Sequence, residues 1–238
     1  AGNDVISGGA GADAITGGAG IDNIDAGAGN DTITVSTFTD FKTSGGAETV
    51  DGGAGNDTLS FTQATSLTLT APELESVIGI ETIDAADSIA GNATSVTLGN
   101  GFFTSNGSST IIFDGNDTAD NDADNKLDLS SVSNGSATFY GNDTQAAVAD
   151  TFLGGSGDDT WIVTGTTAQI TGASDVYNGN GGTDRFLIVN SANTTSTIDF
   201  SNVTNVEKAE VQLNSSGAVV IALGSVASTD SEPATFEV

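Results

Sequence analysis

The chain has 238 residues, of which 32 are acidic against four lysines and arginines, giving a formal net charge of −28. That balance excludes a basic phosphate-binding surface and makes nucleic acid and anionic membranes poor partners. With no histidine and no cysteine, disulfides, thiolate nucleophiles, Ser–His and Cys–His constellations and most zinc hydrolase centres cannot be built, and no apolar run is long enough to cross a bilayer.

Residues 8–34 repeat one nine-residue unit three times, as GGAGADAIT, GGAGIDNID and AGAGNDTIT, and the opening AGNDVIS is the tail of a fourth. The pattern of early glycines, an aspartate at the sixth position and a large apolar residue at the eighth resembles the calcium-binding nonapeptide of RTX proteins. Its residues make physical sense as a loop followed by a very short strand. Gly8, Gly9 and Gly11 are expected to take positive φ values that a Cβ would penalise, so that the loop turns its carbonyl oxygens inward. Ile6, Ile15, Ile24 and Ile33 then face one interior.

With two units per coil the loops alternate between two sides, which stacks Asp4 near Asp22 and Asp13 near Asp31 at about 4.8 Å per coil. Such columns of carboxylates repel one another. A calcium ion between coils removes the repulsion and takes six to eight oxygens at about 2.3–2.6 Å, whereas magnesium demands fewer, shorter and strictly octahedral contacts. A flexible Gly/Asp linker would need no isoleucine every nine residues.

Further along, the unit recurs at Gly52 to Leu59, Gly154 to Trp161 and Gly179 to Phe186. Each copy follows a half-unit, Glu48-Thr49-Val50-Asp51, Asp150-Thr151-Phe152-Leu153 or Asp175-Val176-Tyr177-Asn178, whose acid lies nine residues upstream of the next one, so each is expected to be a short calcium-bound stack. Weaker echoes at Gly115-Asn116-Asp117-Thr118 and Gly141-Asn142-Asp143-Thr144 lack the first glycines and fit an ordinary Asx turn as well as a calcium loop.

A longer repeat also emerges. Leu74, Val77 and Ile80 lead into Glu81, just as Phe200, Val203 and Val206 lead into Glu207, and Asp128-Leu129-Ser130-Ser131-Val132 is a fragment of a third copy. Apolar residues three apart suit either a solenoid rung or one helical turn. Alternation in Ser66-Leu67-Thr68-Leu69-Thr70 and the absence of long helical periodicity point to an all-β chain.

The catalytic inventory is poor. A carboxylate pair capable of glycoside hydrolysis would arise by chance among so many acids, and Arg185, the single arginine, is expected to point outward from its strand. Tyr140, Tyr177 and Trp161 could meet sugar, but Tyr177 and Trp161 fill the apolar slot of the repeat and are read as core. No catalytic or organic-cofactor residues are assigned, and the chain is not expected to be an enzyme.

The whole chain resembles the calcium-binding portion of an RTX protein, a class exported by type I secretion. Loops interspersed with Thr/Ser/Ala-rich rungs and Ile78-Gly79-Ile80-Glu81-Thr82-Ile83 most resemble alphaproteobacterial surface-layer proteins. The family pattern implies ligation of several Ca2+ ions by the carbonyls of the first four loop positions and the aspartate at the sixth. Carried onto this chain, it implies Gly8, Gly9, Ala10 and Gly11 with Asp13; Gly17, Gly18, Ala19 and Gly20 with Asp22; and Ala26, Gly27, Ala28 and Gly29 with Asp31. It likewise implies Gly52, Gly53, Ala54 and Gly55 with Asp57, Gly154, Gly155, Ser156 and Gly157 with Asp159, and Gly179, Asn180, Gly181 and Gly182 with Asp184. The truncated first unit contributes Ala1, Gly2 and Asp4. Ala26 and Asn180 depart from the glycine of the pattern, leaving their backbone angles open but their carbonyls available.

These readings describe a calcium-bound parallel β-roll or β-helix solenoid with short interspersed rungs that bind no calcium. Residues 1–60 form a first RTX roll, 61–149 solenoid rungs with weak loop echoes, and 150–238 a second calcium stack followed by duplicated rungs. Lacking methionine and starting in mid-repeat, the chain is expected to be a processed or trimmed piece of a longer protein. The expected role is structural: an extracellular surface layer (S-layer) that folds on calcium after type I secretion and self-assembles into a two-dimensional lattice at the cell surface. A cell-surface polysaccharide would be reached through parts outside this chain, without membrane insertion. The alternative is a calcium-dependent folding and secretion module of an RTX enzyme, such as an epimerase, protease or lipase, or a segment of an RTX adhesin.

Overall fold

A computed structural model describes residues 2–36, 48–62, 67–84, 94–106, 109–113, 126–133, 135–141, 151–165, 176–190, 196–199, 202–213, 219–222 and 235–237. The chain is a parallel β-solenoid. Its spine is a ten-stranded sheet of Ala14–Thr16, Thr32–Val35, Thr58–Phe61, Thr82–Asp84, Ser109–Phe113, Ala137–Gly141, Thr160–Gly165, Arg185–Asn190, Lys208–Leu213 and Thr235–Glu237, added one after another in chain order. A winding chain returns to each face in the same direction, so every described pairing in this sheet is parallel.

The opposite wall comes in two pieces. Val5–Ala10, Asn23–Ala28, Thr49–Asp51 and Val77–Ile78 form a four-stranded sheet. Leu67–Leu69, Thr94–Thr97, Lys126–Asp128, Thr151–Leu153, Val176–Asn178 and Val203–Thr204 form a six-stranded one. Ser196–Asp199 and Val219–Ala222 pair as a further two-stranded sheet.

Register follows the apolar slot of the repeat. In the spine Ile15, Ile33, Leu59 and Ile83 lie in successive register, as do Phe139, Trp161, Phe186 and Ala209, and all eight are buried. Facing them, Ile24, Val50 and Val77 form one buried row and Leu69, Val96, Leu127, Phe152, Tyr177 and Val203 another. Burial of each large aliphatic contributes about 1.5–3 kcal/mol, and a one-residue slip would turn the whole row to solvent. Trp161 and Tyr177 are core residues, as expected, stacked on Phe139 and Phe152 with ring centroids 5.6 and 5.2 Å apart.

The residues spaced by three resolve into a rung that uses both local forms. Ala71–Glu73 is a 3-10 turn capped by Thr70, Leu74 follows it, and Val77 enters a strand opposite Val50; Leu74, Val77 and Ile80 are wholly buried. Val203, Val206, Leu129 and Val132 are buried in the same manner, while Phe200 lies outside the described residues. One element was not expected from the sequence, the seven-residue α-helix Asn100–Asn106, which buries Phe102, Phe103 and Asn106. At under two turns it is too short to show periodicity or to stand without tertiary packing.

Candidate metal centre

The loop ending at Asp22 runs from spine to wall, whereas the loops ending at Asp13, Asp31, Asp57, Asp159 and Asp184 join the opposite wall to the spine, and each of these ends on the acid that precedes a spine strand. Those acids form two columns. Asp31 accepts the backbone N–H of Asp13 through Oδ1 at 2.8 Å, Asp57 accepts that of Asp31 at 2.8 Å, and Glu81 accepts that of Asp57 through Oε2 at 2.8 Å. In the second column Asp159 accepts from Ala137 at 2.8 Å, Asp184 from Asp159 at 2.7 Å, and Glu207 from Asp184 at 2.6 Å. On the other side of the first roll, Asp22 accepts the N–H of Asp4 at 2.9 Å, and the buried Glu48 follows Asp22 in register. The expected stacking of Asp4 on Asp22 and Asp13 on Asp31 is therefore present.

Asp22, Asp31, Asp57, Asp159 and Asp184 each use one oxygen to hold the neighbouring coil. The second oxygen, Oδ2, of Asp13, Asp22, Asp31, Asp57 and Asp184 is buried and accepts no hydrogen bond. In four of the loops Oδ2 lies beside the first glycine: an added Cβ on Gly8 would sit 2.8 Å from Asp13 Oδ2, one on Gly52 3.0 Å from Asp57 Oδ2, and those on Gly17 and Gly179 would overlap Asp22 and Asp184. A buried anion without a partner costs several kcal/mol. Burial raises the pKa of Asp57, and it lifts Asp159 to about 6 and Asp184 to about 8, the latter helped by the charges of Asp159 and Glu207.

The cations among the described residues do not relieve this. Lys126 pairs with Asp128 at 3.0 Å, and Arg185 and Lys208 both pair with Glu210, which they hold down to about 2. Nor do three acidic side chains converge closely enough to hold a metal ion by themselves among the described residues. An ion in these loops must take most of its oxygens from carbonyls and one or two from carboxylates. That is a hard, all-oxygen set, the donor chemistry of Ca2+.

Backbone angles sharpen the loop. The second and fourth positions take positive φ at Gly9 and Gly11, Gly18 and Gly20, Gly27 and Gly29, Gly53 and Gly55, and Asn180 and Gly182. Asn180 adopts φ 63° without glycine, which asparagine tolerates better than most residues. The expectation for Gly8 is corrected: its φ is not positive, and glycine is required there for space, because a Cβ would stand 2.5 Å from the Ala26 carbonyl oxygen. Ala26, also at a first position, is fully buried with no positive φ.

The loop from Gly154 to Asp159 differs from the rest. Gly155 and Gly157 do not take positive φ, and Gly155 donates its N–H to Asp159 Oδ2 at 2.8 Å, so that this oxygen is satisfied from within its own loop. The coil before it has Leu129 and Val132 in place of a glycine loop, and Ser156 donates to the Val132 carbonyl at 2.9 Å. Ala1, Asp150, Asp175 and the echoes around Asp117 and Asp143 lie outside the described residues. Glu48 is the acid of an expected half-unit, whereas Glu81 and Glu207 join the acid columns without being expected there; the shared acid-x-apolar ending of Glu81-Thr82-Ile83 and Asp57-Thr58-Leu59 is the signal the sequence offers for them.

A family profile for the RTX calcium-binding nonapeptide repeat matches residues 1–36, 43–60 and 149–160, with four copies. Searches of curated proteins and of solved structures found no match. Among the described residues no helix is long and apolar enough to cross a membrane. Residues 1–36, 43–60 and 149–160 thus carry calcium-binding RTX nonapeptide repeats on a parallel β-solenoid of β-roll type, and the loop from Gly179 to Asp184, outside the matched residues, shares the left-handed second and fourth positions and the buried unpaired aspartate oxygen of the first roll.

Proposed function

We propose that the chain is a structural, non-enzymatic part of an extracellular surface layer, which leaves the cell by type I secretion, folds on calcium and assembles with its own copies into a sheet. The observation that carries this reading is the unbroken ten-stranded spine that joins the two acid columns through coils whose described wall-to-spine turns, residues 98–106 and 129–133, carry no glycine loop. Ten parallel strands at about 4.8 Å extend the spine by roughly 43 Å, and a hydrogen bond at every step makes the stack stiff. A module that serves only to fold an attached enzyme needs one block of loops and no such spacer.

Charge adds to the argument. At −28 the surface repels copies of itself within about 8 Å at physiological salt. Assembly is therefore expected to require divalent ions beyond those that fold the chain, and monovalent salt is not expected to replace them. The test is electron microscopy and light scattering of the purified protein in millimolar calcium, followed by chelation. Ordered sheets that dissolve on chelation support the reading. A folded protein that stays monomeric at high concentration and instead modifies a polysaccharide, or cleaves protein or lipid, supports the RTX-enzyme alternative.

A further inference from the structure

We propose that each ion column ends in a calcium site closed by a glutamate from outside the nonapeptide loops, Glu81 with Asp57 and Glu207 with Asp184. The proposal rests on the calcium reading of the repeats and extends it to ligands that the repeat pattern does not contain.

Within a column, an aspartate's buried Oδ2 lies by the first residue of its own loop, which faces the first carbonyl of the next coil; Gly8 faces the Ala26 carbonyl in this way, and Gly154 that of Gly179. At the last loop of each column the next coil has no glycine loop, yet the surroundings persist. Gly52 faces the carbonyl of Gly79, and Gly179 faces that of Asn205. Both residues are left-handed, with φ 63° at Gly79 and 51° at Asn205, and such a turn is rare enough for asparagine to need a reason. Two residues later Glu81 and Glu207 accept the N–H of Asp57 and Asp184, the hydrogen bond that the next aspartate accepts elsewhere in the column.

The carboxylate of the missing loop is thus replaced by a glutamate, whose extra methylene spans the shortened turn. Asp57 and Asp184 are 0 and 1% exposed, and the Oδ2 atom of each is buried without a partner on the side facing that turn. A simple cap on the last N–H would leave these two anionic oxygens unpaired beside a second carboxylate. A Ca2+ ion shared between Asp57 and Glu81, or between Asp184 and Glu207, with the Gly79 or Asn205 carbonyl, removes that conflict. The same arrangement is built twice from different residues, which an accidental cap does not explain.

The test counts bound calcium in the full chain by equilibrium dialysis and titration calorimetry, for wild type, Glu81→Gln, Glu207→Gln and the double variant. Glutamine keeps an acceptor for the Asp57 or Asp184 N–H and loses the charge. The expected result is one ion fewer, or one site weakened at least tenfold, for each single variant and two for the double, with the far-UV spectrum in saturating calcium retained. An ion count and affinities equal to wild type overturn the proposal. Should Glu81→Gln fail to fold in calcium, Glu81→Asp, which keeps the charge but shortens the reach, is read in the same assay; one weakened site supports the proposal and an unchanged set overturns it. Asp22→Asn separates the two levels of the argument: if it loses calcium while the glutamate variants do not, the repeat reading stands and the closing sites fall, and if wild type binds no calcium, both fall.

Discussion

Asp57 Oδ1 accepts the backbone N–H of Asp31 at 2.8 Å across 26 residues of sequence, while the other oxygen of the same carboxylate is buried with no partner. One side chain thus pins the preceding coil and, in the calcium reading proposed above, meets a cation with its other oxygen. Asp57→Asn separates the two roles, because the amide oxygen still accepts from Asp31 and the anionic Oδ2 is gone. It is expected to raise the calcium midpoint of folding at least about tenfold, or roughly 1.4 kcal/mol, whereas Asp57→Ala loses the hydrogen bond as well and should be worse by about 1 kcal/mol. Calcium-monitored circular dichroism of the two variants checks the order.

In the calcium reading proposed above, protons and calcium compete for these carboxylates. Burial raises Asp159 to about 6 and Asp184 to about 8 from an ordinary 3.8, so the ion-free fold holds more protons than the unfolded chain between these values. A raised acid pKa contributes stability that is complete below 3.8 and is lost as pH rises through about 6 and about 8. Glu210, lowered to about 2, acts in the opposite sense but only below its ordinary 4.5. In chelator, residual β structure is accordingly expected to resist urea better at pH 5 than at pH 8. In millimolar calcium the order should reverse, since the ion requires deprotonated ligands.

Two glycines at the same loop position separate backbone strain from crowding. Gly9 and Gly27 have φ 102° and 104°, but a Cβ on Gly9 meets nothing, whereas one on Gly27 would overlap the Gly9 carbonyl of the neighbouring coil. Gly9→Ala should cost about 1–2 kcal/mol, and Gly27→Ala distinctly more with a weakened calcium midpoint. Urea denaturation in saturating calcium measures both.

Asn106 holds the coil that has a helix where others have a loop. Its Oδ1 accepts the Ile80 N–H at 2.8 Å, and its Nδ2 donates to the carbonyls of Val77 at 2.9 Å and Phe102 at 2.8 Å. Asn106→Ala strands buried backbone groups at about 1–3 kcal/mol each, so stability in calcium should fall by about 3 kcal/mol. The number of bound ions should stay the same, which distinguishes this spacer residue from a loop aspartate.

The first roll was legible because its signal is local and periodic. An aspartate and an isoleucine every nine residues set both the coil length and the register, and Asp13 on Asp31 and Ile15 beside Ile33 follow from these spacings alone. The apolar slot also placed Trp161 and Tyr177 correctly in the core. The role of Gly8 was not legible, since its need for space arises from the Ala26 carbonyl of the next coil. The Asn100–Asn106 helix escaped for a similar reason, its Phe103 packing against Gly135 from another coil. Glu81 and Glu207 stood out as a duplicated motif, but only adjacency in space joins them to Asp57 and Asp184. The loop from Gly154 to Asp159 matches the pattern in sequence and departs from it in backbone because the coil before it has no glycine loop.

Calcium-dependent folding is the centre of the account, and far-UV circular dichroism of the full chain during a calcium titration from excess chelator tests it most directly. If extracellular-type sites bind at about 10⁻⁴–10⁻³ M, each adds about 1.4 kcal/mol at ten times its dissociation constant. The β spectrum is expected to be weak in chelator, to appear cooperatively at submillimolar to millimolar calcium, and to stay weak in magnesium at the same concentration. A full β spectrum in chelator, unchanged by added calcium, would contradict it.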